Sequence, residues 1–247
     1  MPFKKSDNLW IELDSVDSTN NYAMGLIHEG LAQHGLTVRT AHQTNGKGQR
    51  GKAWETEPGA NLSFSIIVKP ALNLTQHFQL LAATALAVRD ELEKLVGDEA
   101  KIKWPNDLYW RDRKTGGILI ENVVRGRQWQ WAVIGIGINV NQTKFKGLKN
   151  PVSIKQITGK DTDVLELAKD IQKAVLKRWK NLQQQGFEHI FKLYNQQLYK
   201  LEQPVRLKKE NRVLSTCIKG VNTSGQLVTG NEMEECFDFG EVELVIR

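Results

Sequence analysis

The sequence predicts an α+β fold with a small all-β unit at its C-terminal end. Three observations predict it. Runs of period-two alternation are mostly joined as hairpins, without a regular alternation of strand and helix. Two stretches, 75–96 and 164–184, carry apolar residues at three- and four-residue steps. After about residue 200 the texture becomes short alternating runs broken by Gly and Asn, the pattern of a small antiparallel barrel. We place the boundary near Leu198–Gln203, which divides the 247 residues into domains 1–200 and 201–247. No internal repeat, low-complexity tract or heptad seam interrupts this division.

The elements follow in order. LWIELD, 9–14, reads as a short strand. DSVDSTNNYAMGLIHEG then offers Asp and Ser/Thr capping residues and closes at Gly30, which predicts a helix over about 18–29. LTVRTAHQ is a second strand. In NLSFSIIVKP, Leu62, Phe64, Ile66 and Val68 alternate with Ser63, Ser65 and Ile67 until Pro70 ends the strand. The 75–96 helix places Phe78, Leu81, Leu86, Leu92 and Leu95 largely on one side, with Gly97 after it. AKIKW is a strand stopped by Pro105. GGILIENVV and WQWAVIGIGINV flank RGRQ and read as a hairpin. The 164–184 helix repeats Val164, Ala168, Ile171, Val175, Trp179 and Leu182, and a further helix with Phe187, Ile190, Phe191 and Tyr194 follows Gly186.

Composition narrows the function classes. Apolar residues make up 40% and charged residues 25%, ordinary globular values. No run approaches the roughly 18–20 apolar residues of a membrane span. MPFKKSDNLWIELD has no apolar segment before a small-residue cleavage site, so no secretory signal is read. Cys217 and Cys236 make neither a metal site nor a disulfide framework, and a reduced cytoplasmic setting fits them. The net charge of +6, from 34 Lys+Arg against 28 Asp+Glu, suits anionic ligands or an acidic partner.

Four stretches could carry chemistry. GKGQRGK, 46–52, sets three glycines among Lys47, Arg50 and Lys52. It is neither a P-loop nor a GxGxxG turn. It suits either a mobile loop closing over an anion or a solvated surface loop. In KWPNDLYW, 103–110, Asn106 and Asp107 follow the strand-ending Pro105, as functional groups or as plain turn formers. Lys114 precedes Gly116 and Gly117, where it can reach into a cleft or face solvent. GIGINV, 135–140, puts Gly135, Gly137 and Asn139 in an apolar strand; such glycines mark a bulge, a ligand against the backbone or tight packing. His28, His34, His42, His77 and His189 sit in unrelated contexts, and no Ser/His/Asp or Cys/His constellation stands out.

DSTN (17–20), the glycine–cation loop with Trp54 after it, GANLSFS (59–65), KWPNDLY (103–109), GGILIE (116–121) and GIGIN (135–139) lie in one order and spacing. Together they resemble biotin protein ligases, from about Asp14 to the end of the chain. The resemblance implies a mixed-sheet catalytic domain of the class II synthetase-like biotin/lipoate ligase type, followed by an SH3-like β-barrel. It looks like the short form of the enzyme. The first strand begins near residue 9, which leaves no room for the winged helix-turn-helix of the longer, operator-binding form.

The implied reaction has two steps. Biotin's carboxylate attacks the α-phosphate of ATP, giving biotinoyl-AMP and pyrophosphate. A lysine of a biotin carboxyl carrier protein, a domain of acetyl-CoA carboxylase or a related carboxylase, then attacks the anhydride and releases AMP. Neither step needs an enzyme nucleophile; the first needs positive charge and positioning. By resemblance, Ser18, Thr19, Asn20 and Gln43 contact biotin, with Ser18 and Gln43 on its ureido ring. Lys47, Gly48 and Gln49 belong to a loop that folds over biotin and the adenylate. Lys114 lies between carboxylate and phosphate as the main catalytic cation. Gly117 and Gly135 let backbone touch the ligand. Trp54, Asn106 and Asn139 serve the adenylate. Asp107 holds Mg²⁺ or orients the carrier lysine. Residues 141–150, with Phe145, form a second loop over adenine.

The family's loop reads GRGRxGR; here the arginine positions are Lys47, Gln49 and Lys52. Lysine keeps charge without the bidentate fork, and Gln49 loses the charge. Arg50, at the variable position, is the cation expected to compensate, and it completes a catalytic set with Lys114 and Asp107. A lipoate ligase of the same fold is the nearest rival, which GKGQRGK and KWPND disfavour. A nucleic-acid-binding protein would need a clustered basic face with interleaved aromatics; the barrel instead carries the acidic NEMEECFDFGE. A ligase-like fold without activity is disfavoured by Lys114 and Asp107. Monomer and homodimer are both open.

Overall fold

A seven-stranded mixed sheet forms the larger unit of the chain. In a computed structural model that describes residues 9–145, 147, 150–231 and 233–246, its strands are β1 (Trp10–Val16), β2 (Thr37–Gln43), β3 (Leu62–Val68), β4 (Ala100–Lys103), β5 (Asp107–Trp110), β6 (Arg113–Arg125) and β7 (Gln128–Ile138). They lie in the order β1-β2-β3-β7-β6-β5-β4. β1 and β2 are parallel, joined through helix α1 (Thr19–His28); the other neighbours are antiparallel. The helices α2 (His77–Val96), α3 (Ile154–Thr158), α4 (Val164–Gln185) and α5 (Glu188–Gln196) complete this unit.

The period-two rule explains how one sheet serves both a core and a site, because successive side chains leave a strand on opposite faces. Leu62, Phe64, Ile66 and Val68 of β3 enter the main core, joined by Ile134, Ile136 and Ile138 of β7 and Ile118 of β6. Each such side chain, fully buried, contributes about 1.5–3 kcal/mol. Ser63 and Ser65 face the other way, as do Gly135 and Gly137. Ile67 and Val133, also on that face, pack with Ala23 of α1 in a smaller cluster. β3 is therefore buried along its whole length.

The structure departs from the expected elements in three places. In α2 the buried surface runs nearly all round, from Phe78, Leu80 and Ala82 to Leu86, Val88 and Leu92, while Leu95 is exposed and Leu81 half-buried. The helix lies beneath the sheet with α4 and α5 behind it, and its alanines permit that double contact. DLYW, for which the sequence predicts no element, is a strand that makes a hairpin with β4. The short α3 was not anticipated, although Ser153 and Gln156 form the reciprocal S-x-x-Q capping box that announces it.

The C-terminal part has β8 (Pro204–Lys209), β9 (Arg212–Val221), β10 (Leu227–Gly230), β11 (Glu234–Phe237) and β12 (Glu243–Leu244), in the antiparallel order β11-β10-β9-β8-β12. This is the strand order of an SH3-like unit, as expected. It shares one hydrophobic core with the larger unit: Val205, Leu207, Ile218, Val221, Leu227 and Phe237 join the same cluster as Phe78, Ile102 and Tyr194. The Trp104 indole N–H donates to the Gly225 carbonyl (2.9 Å), and Asn195 Nδ2 donates to that of Val221 (3.2 Å).

Candidate active site

A cavity of about 750 Å³ opens between the polar face of the sheet, the 45–54 loop and the C-terminal unit. Such a volume lies in the upper range of small-molecule sites, about 300–1,000 Å³. Its floor is set by strand register. Ser63 pairs with Gly137, Gly137 with Gly117, Gly117 with Asp107, and Asp107 with Lys103. One transverse row thus runs from a hydroxyl across two glycines to a carboxylate and an ammonium group. The next row holds Ser65, Gly135 and Leu119.

The glycines let neighbouring side chains lie directly on this floor. A Cβ on Gly137 would lie 2.4 Å from the Trp54 indole, and one on Gly135 would lie 2.3 Å from Asn20 Oδ1. Real Cβ atoms do not approach so closely, so each position excludes side chains while these neighbours stay. Trp54 rests on the floor, over Gly137. Its backbone N–H closes the 45–54 loop onto the Gly46 carbonyl at 2.8 Å.

At one end of the cavity stand Ser18, Thr19 and Asn20, all at least 97% buried. Ser18 occupies the N-cap position of α1, but its side chain makes no capping bond. The Thr19 backbone N–H donates to Gln43 Oε1 (2.9 Å), and its hydroxyl lies 3.2 Å from the same oxygen. Ser65 Oγ lies 2.7 Å from Thr19 Oγ1 and donates to Asn20 Oδ1 (2.6 Å). Asn20 Nδ2 donates to Glu121 Oε2 (2.7 Å). A connected polar network therefore links β6, α1, β3 and β2, which fixes the amides that face the cavity. Glu121 and Ser65 were not singled out from the sequence. Period-two counting from Gly117 and Ser63 puts both on the site face.

At the other end is a charged cluster. Lys114 Nζ lies 2.6 Å from Asp107 Oδ1, and Lys103 Nζ lies 3.8 Å from Asp107 Oδ2. Burial lowers the Lys103 ammonium pKa, and the nearby Lys114 charge adds to this; Asp107 opposes it. Lys114 also lies 5.9 Å from the centre of the Trp54 ring. Lys103 was missed as a site residue because a lone lysine at a strand end is usually solvated. Asn139 holds the strand here: its N–H donates to the Thr115 carbonyl (2.8 Å), and Nδ2 donates to that of Lys114 (3.3 Å).

The other residues named from the sequence make the following contacts. Asp107, expected to hold Mg²⁺ or to orient the carrier lysine, pairs with Lys114 through Oδ1 and has Lys103 3.8 Å from Oδ2. Among the described residues no three His, Cys, Asp or Glu side chains group as a metal site. Asn106, read as a nucleotide contact, has its Nδ2 on the Ile118 carbonyl (2.5 Å), strapping the β4–β5 turn to β6. Arg50, read as a catalytic cation, donates Nη1 to the carbonyl of Gly240 in the C-terminal unit (2.9 Å). Lys47 donates to Asn21 Oδ1, Gln49 Nε2 reaches the Ile118 carbonyl at 3.5 Å, and Gly48 lines the cavity. Phe145 is half-buried and does not line the cavity; positions 146, 148 and 149 of the expected second loop lie outside the described residues. No helix among the described residues is long and apolar enough to cross a membrane, and Cys217 and Cys236 are free.

Comparison with known proteins agrees with this geometry. Residues 12–139 match the biotin/lipoate A/B protein ligase family. The chain is 30% identical over 224 residues to a biotin–[acetyl-CoA-carboxylase] ligase of Paracoccus denitrificans, covering 87% of this chain and 92% of that protein. It is 29% identical to the bifunctional ligase/repressor BirA of Bacillus spizizenii, over 87% of this chain and 67% of the relative. The solved biotin protein ligase of Aquifex aeolicus, in complex with biotin and ATP, superposes with a TM-score of 0.81 at 27% identity, covering 96% of this chain and 99% of that one. The chain belongs to the biotin/lipoate A/B protein ligase family.

Proposed function

We propose that the protein is an ATP-dependent biotin protein ligase, which activates biotin as biotinoyl-AMP and transfers it to a lysine of a biotin carboxyl carrier protein. The observation that carries this is the transverse row Ser63–Gly137–Gly117–Asp107–Lys103 with Lys114 beside it. It joins a hydrogen-bonding pocket for a neutral polar ring to a cationic end for an acid and a phosphate, across two glycines on which the Trp54 ring rests. A ligase that condenses two anions needs that sequence of environments.

In the first step a biotin carboxylate oxygen bonds to the α-phosphorus of ATP and pyrophosphate departs. The Ser18, Thr19, Asn20 and Gln43 end holds the ureido ring; Gly135 makes room for the Asn20 amide of that end, and Gly117 lets the ligand approach the backbone. Lys114 stands between the two anions and offsets the negative charge that grows at phosphorus. Asp107 positions Lys114 through the 2.6 Å contact, and Trp54 and Asn139 bound the nucleotide side. Mg²⁺ enters as part of the nucleotide, on the phosphates of ATP. In the second step the carrier amine, having lost a proton, bonds to the acyl carbon. The bond from that carbon to the phosphate oxygen breaks and AMP leaves. The Asp107 carboxylate is the group that can orient the incoming amine.

The 201–247 segment acts as a second domain that walls the site, and the free thiols suit a cytoplasmic enzyme. The test offers labelled biotin and labelled lipoate, each with ATP and a biotin carboxyl carrier domain. Transfer of biotin alone, abolished by Lys114→Ala, is expected. Transfer of lipoate, or of neither, overturns the reading.

A further inference from the structure

The 45–54 loop meets the C-terminal unit through one side chain. Arg50 has φ 56° and ψ 39°, a left-handed conformation that costs a non-glycine residue about 1 kcal/mol or more. That conformation aims the guanidinium at the Gly240 carbonyl, with Nη1 at 2.9 Å. Gly240 is shaped to receive it: a Cβ there would lie 2.5 Å from Nη1 and 2.7 Å from Cζ, and its φ of +88° also disfavours any side chain. The acceptor loop is preformed, since Glu241 takes the Asp238 backbone N–H at 2.7 Å. It is anchored to the larger unit as well, because Phe239 packs edge-on against Trp104 at 6.1 Å. Phe239, Val242 and Leu244 line the same cavity as Lys47, Gln49 and Arg50. The roof over the floor row is therefore made of two halves from distant parts of the sequence.

We propose that Arg50 is a positioning residue that clasps the 45–54 loop to the C-terminal unit, and that this clasp retains the acyl-adenylate. The inference rests on the ligase reading above. It assigns the C-terminal unit a role in the reaction and explains how a loop with Gln49 and lysines at the arginine positions stays shut. Closure here comes from a hydrogen bond between protein groups, formed by the one loop arginine, and not from guanidinium groups on the ligand. A charged donor on a carbonyl, even at an exposed edge, contributes about 1 kcal/mol, enough to slow opening several-fold.

The experiment loads full-length protein with labelled biotin and ATP, chases with unlabelled biotin and ATP, and follows loss of bound label. Arg50→Ala is expected to lose adenylate roughly three- to tenfold faster. Gly240→Ala, which displaces the guanidinium, is expected to do the same. The double variant should lose it no faster than the faster single one, because both remove one contact. Trypsin supplies a readout independent of chemistry: the loop of Arg50→Ala should be cut at Lys47 and Lys52 several-fold faster than that of the parent, with or without ligand. Parental loss rates in both single variants, multiplied effects in the double, or unchanged trypsin cutting overturns the clasp. A parent that forms no labelled adenylate overturns the ligase reading and the clasp with it.

Discussion

Gly135→Ala tests the biotin end of the site without touching a charged group. The added Cβ would lie 2.3 Å from Asn20 Oδ1, 3.0 Å from Cγ and 3.1 Å from Nδ2. Ordinary carbon contacts need about 3.5 Å, so the amide must retreat by about 1 Å. It cannot retreat while keeping both partners, the Ser65 hydroxyl at 2.6 Å and the Glu121 carboxylate at 2.7 Å. Each net hydrogen bond contributes about 0.5–1.5 kcal/mol, and more to a charged acceptor, so about 2–3 kcal/mol of ordering is lost. Ser65 also supports Thr19, which fixes the Gln43 amide, so the loss reaches every group around the ureido ring. Biotin affinity should fall roughly 30- to 150-fold, while ATP affinity should hold, since its groups lie across the floor. Isothermal titration of each ligand separately measures both. Biotin affinity within threefold of the parent would refute the argument that this network shapes the pocket.

Lys114→Ala should slow adenylate formation by about 10²–10³-fold, the usual loss on removing a preorganised electrostatic group; single-turnover pyrophosphate release checks it, and a loss under fivefold sinks the assignment. Lys103→Met should raise the melting temperature near neutral pH. Its pKa is lowered on folding, so the penalty for a charged Lys103 is full below the folded-state pKa. The penalty is relieved as pH rises towards the ordinary lysine value of about 10.4. The stabilisation should therefore shrink with rising pH in thermal melts, and a pH-independent gain or a loss contradicts it. Gln49→Arg restores charge at a position now reaching the Ile118 carbonyl at 3.5 Å. It should slow release of labelled adenylate, and equal release from the two forms counts against that.

Much of the site could be read from local patterns. In NLSFS and GIGIN, alternation already separates a core face of Leu62, Phe64, Ile136 and Ile138 from a site face of Ser63, Ser65, Gly135 and Gly137. The order of the motifs carried the rest of the chemistry. What stayed hidden depends on register and distance along the chain. Nothing local places Lys103 opposite Asp107, because the hairpin between them was read as a strand end and a turn. Nor does any local signal join Arg50 to Gly240, since a backbone carbonyl leaves no mark on the sequence. That Asp107 lies beside both Lys114 and Lys103 shows only in three dimensions. The 3.6-residue period gave α2 a single apolar side, but the sheet above it and α4 below demand apolar character nearly all round.

The hydrophobic cluster that runs without a break from Phe78 and Tyr194 into Leu227 and Phe237 has a consequence for how the molecule comes apart. By topology the last strands are a separable module. By energetics they are not, because opening that seam would expose the Phe78 ring packed on Gly225 and remove the partner of the Trp104 indole. The two units are therefore expected to melt together in a single calorimetric transition; two resolved transitions would contradict this. Weakening the small unit anywhere along the seam destabilises the catalytic sheet, so damage far from the ligand is felt as loss of the whole enzyme.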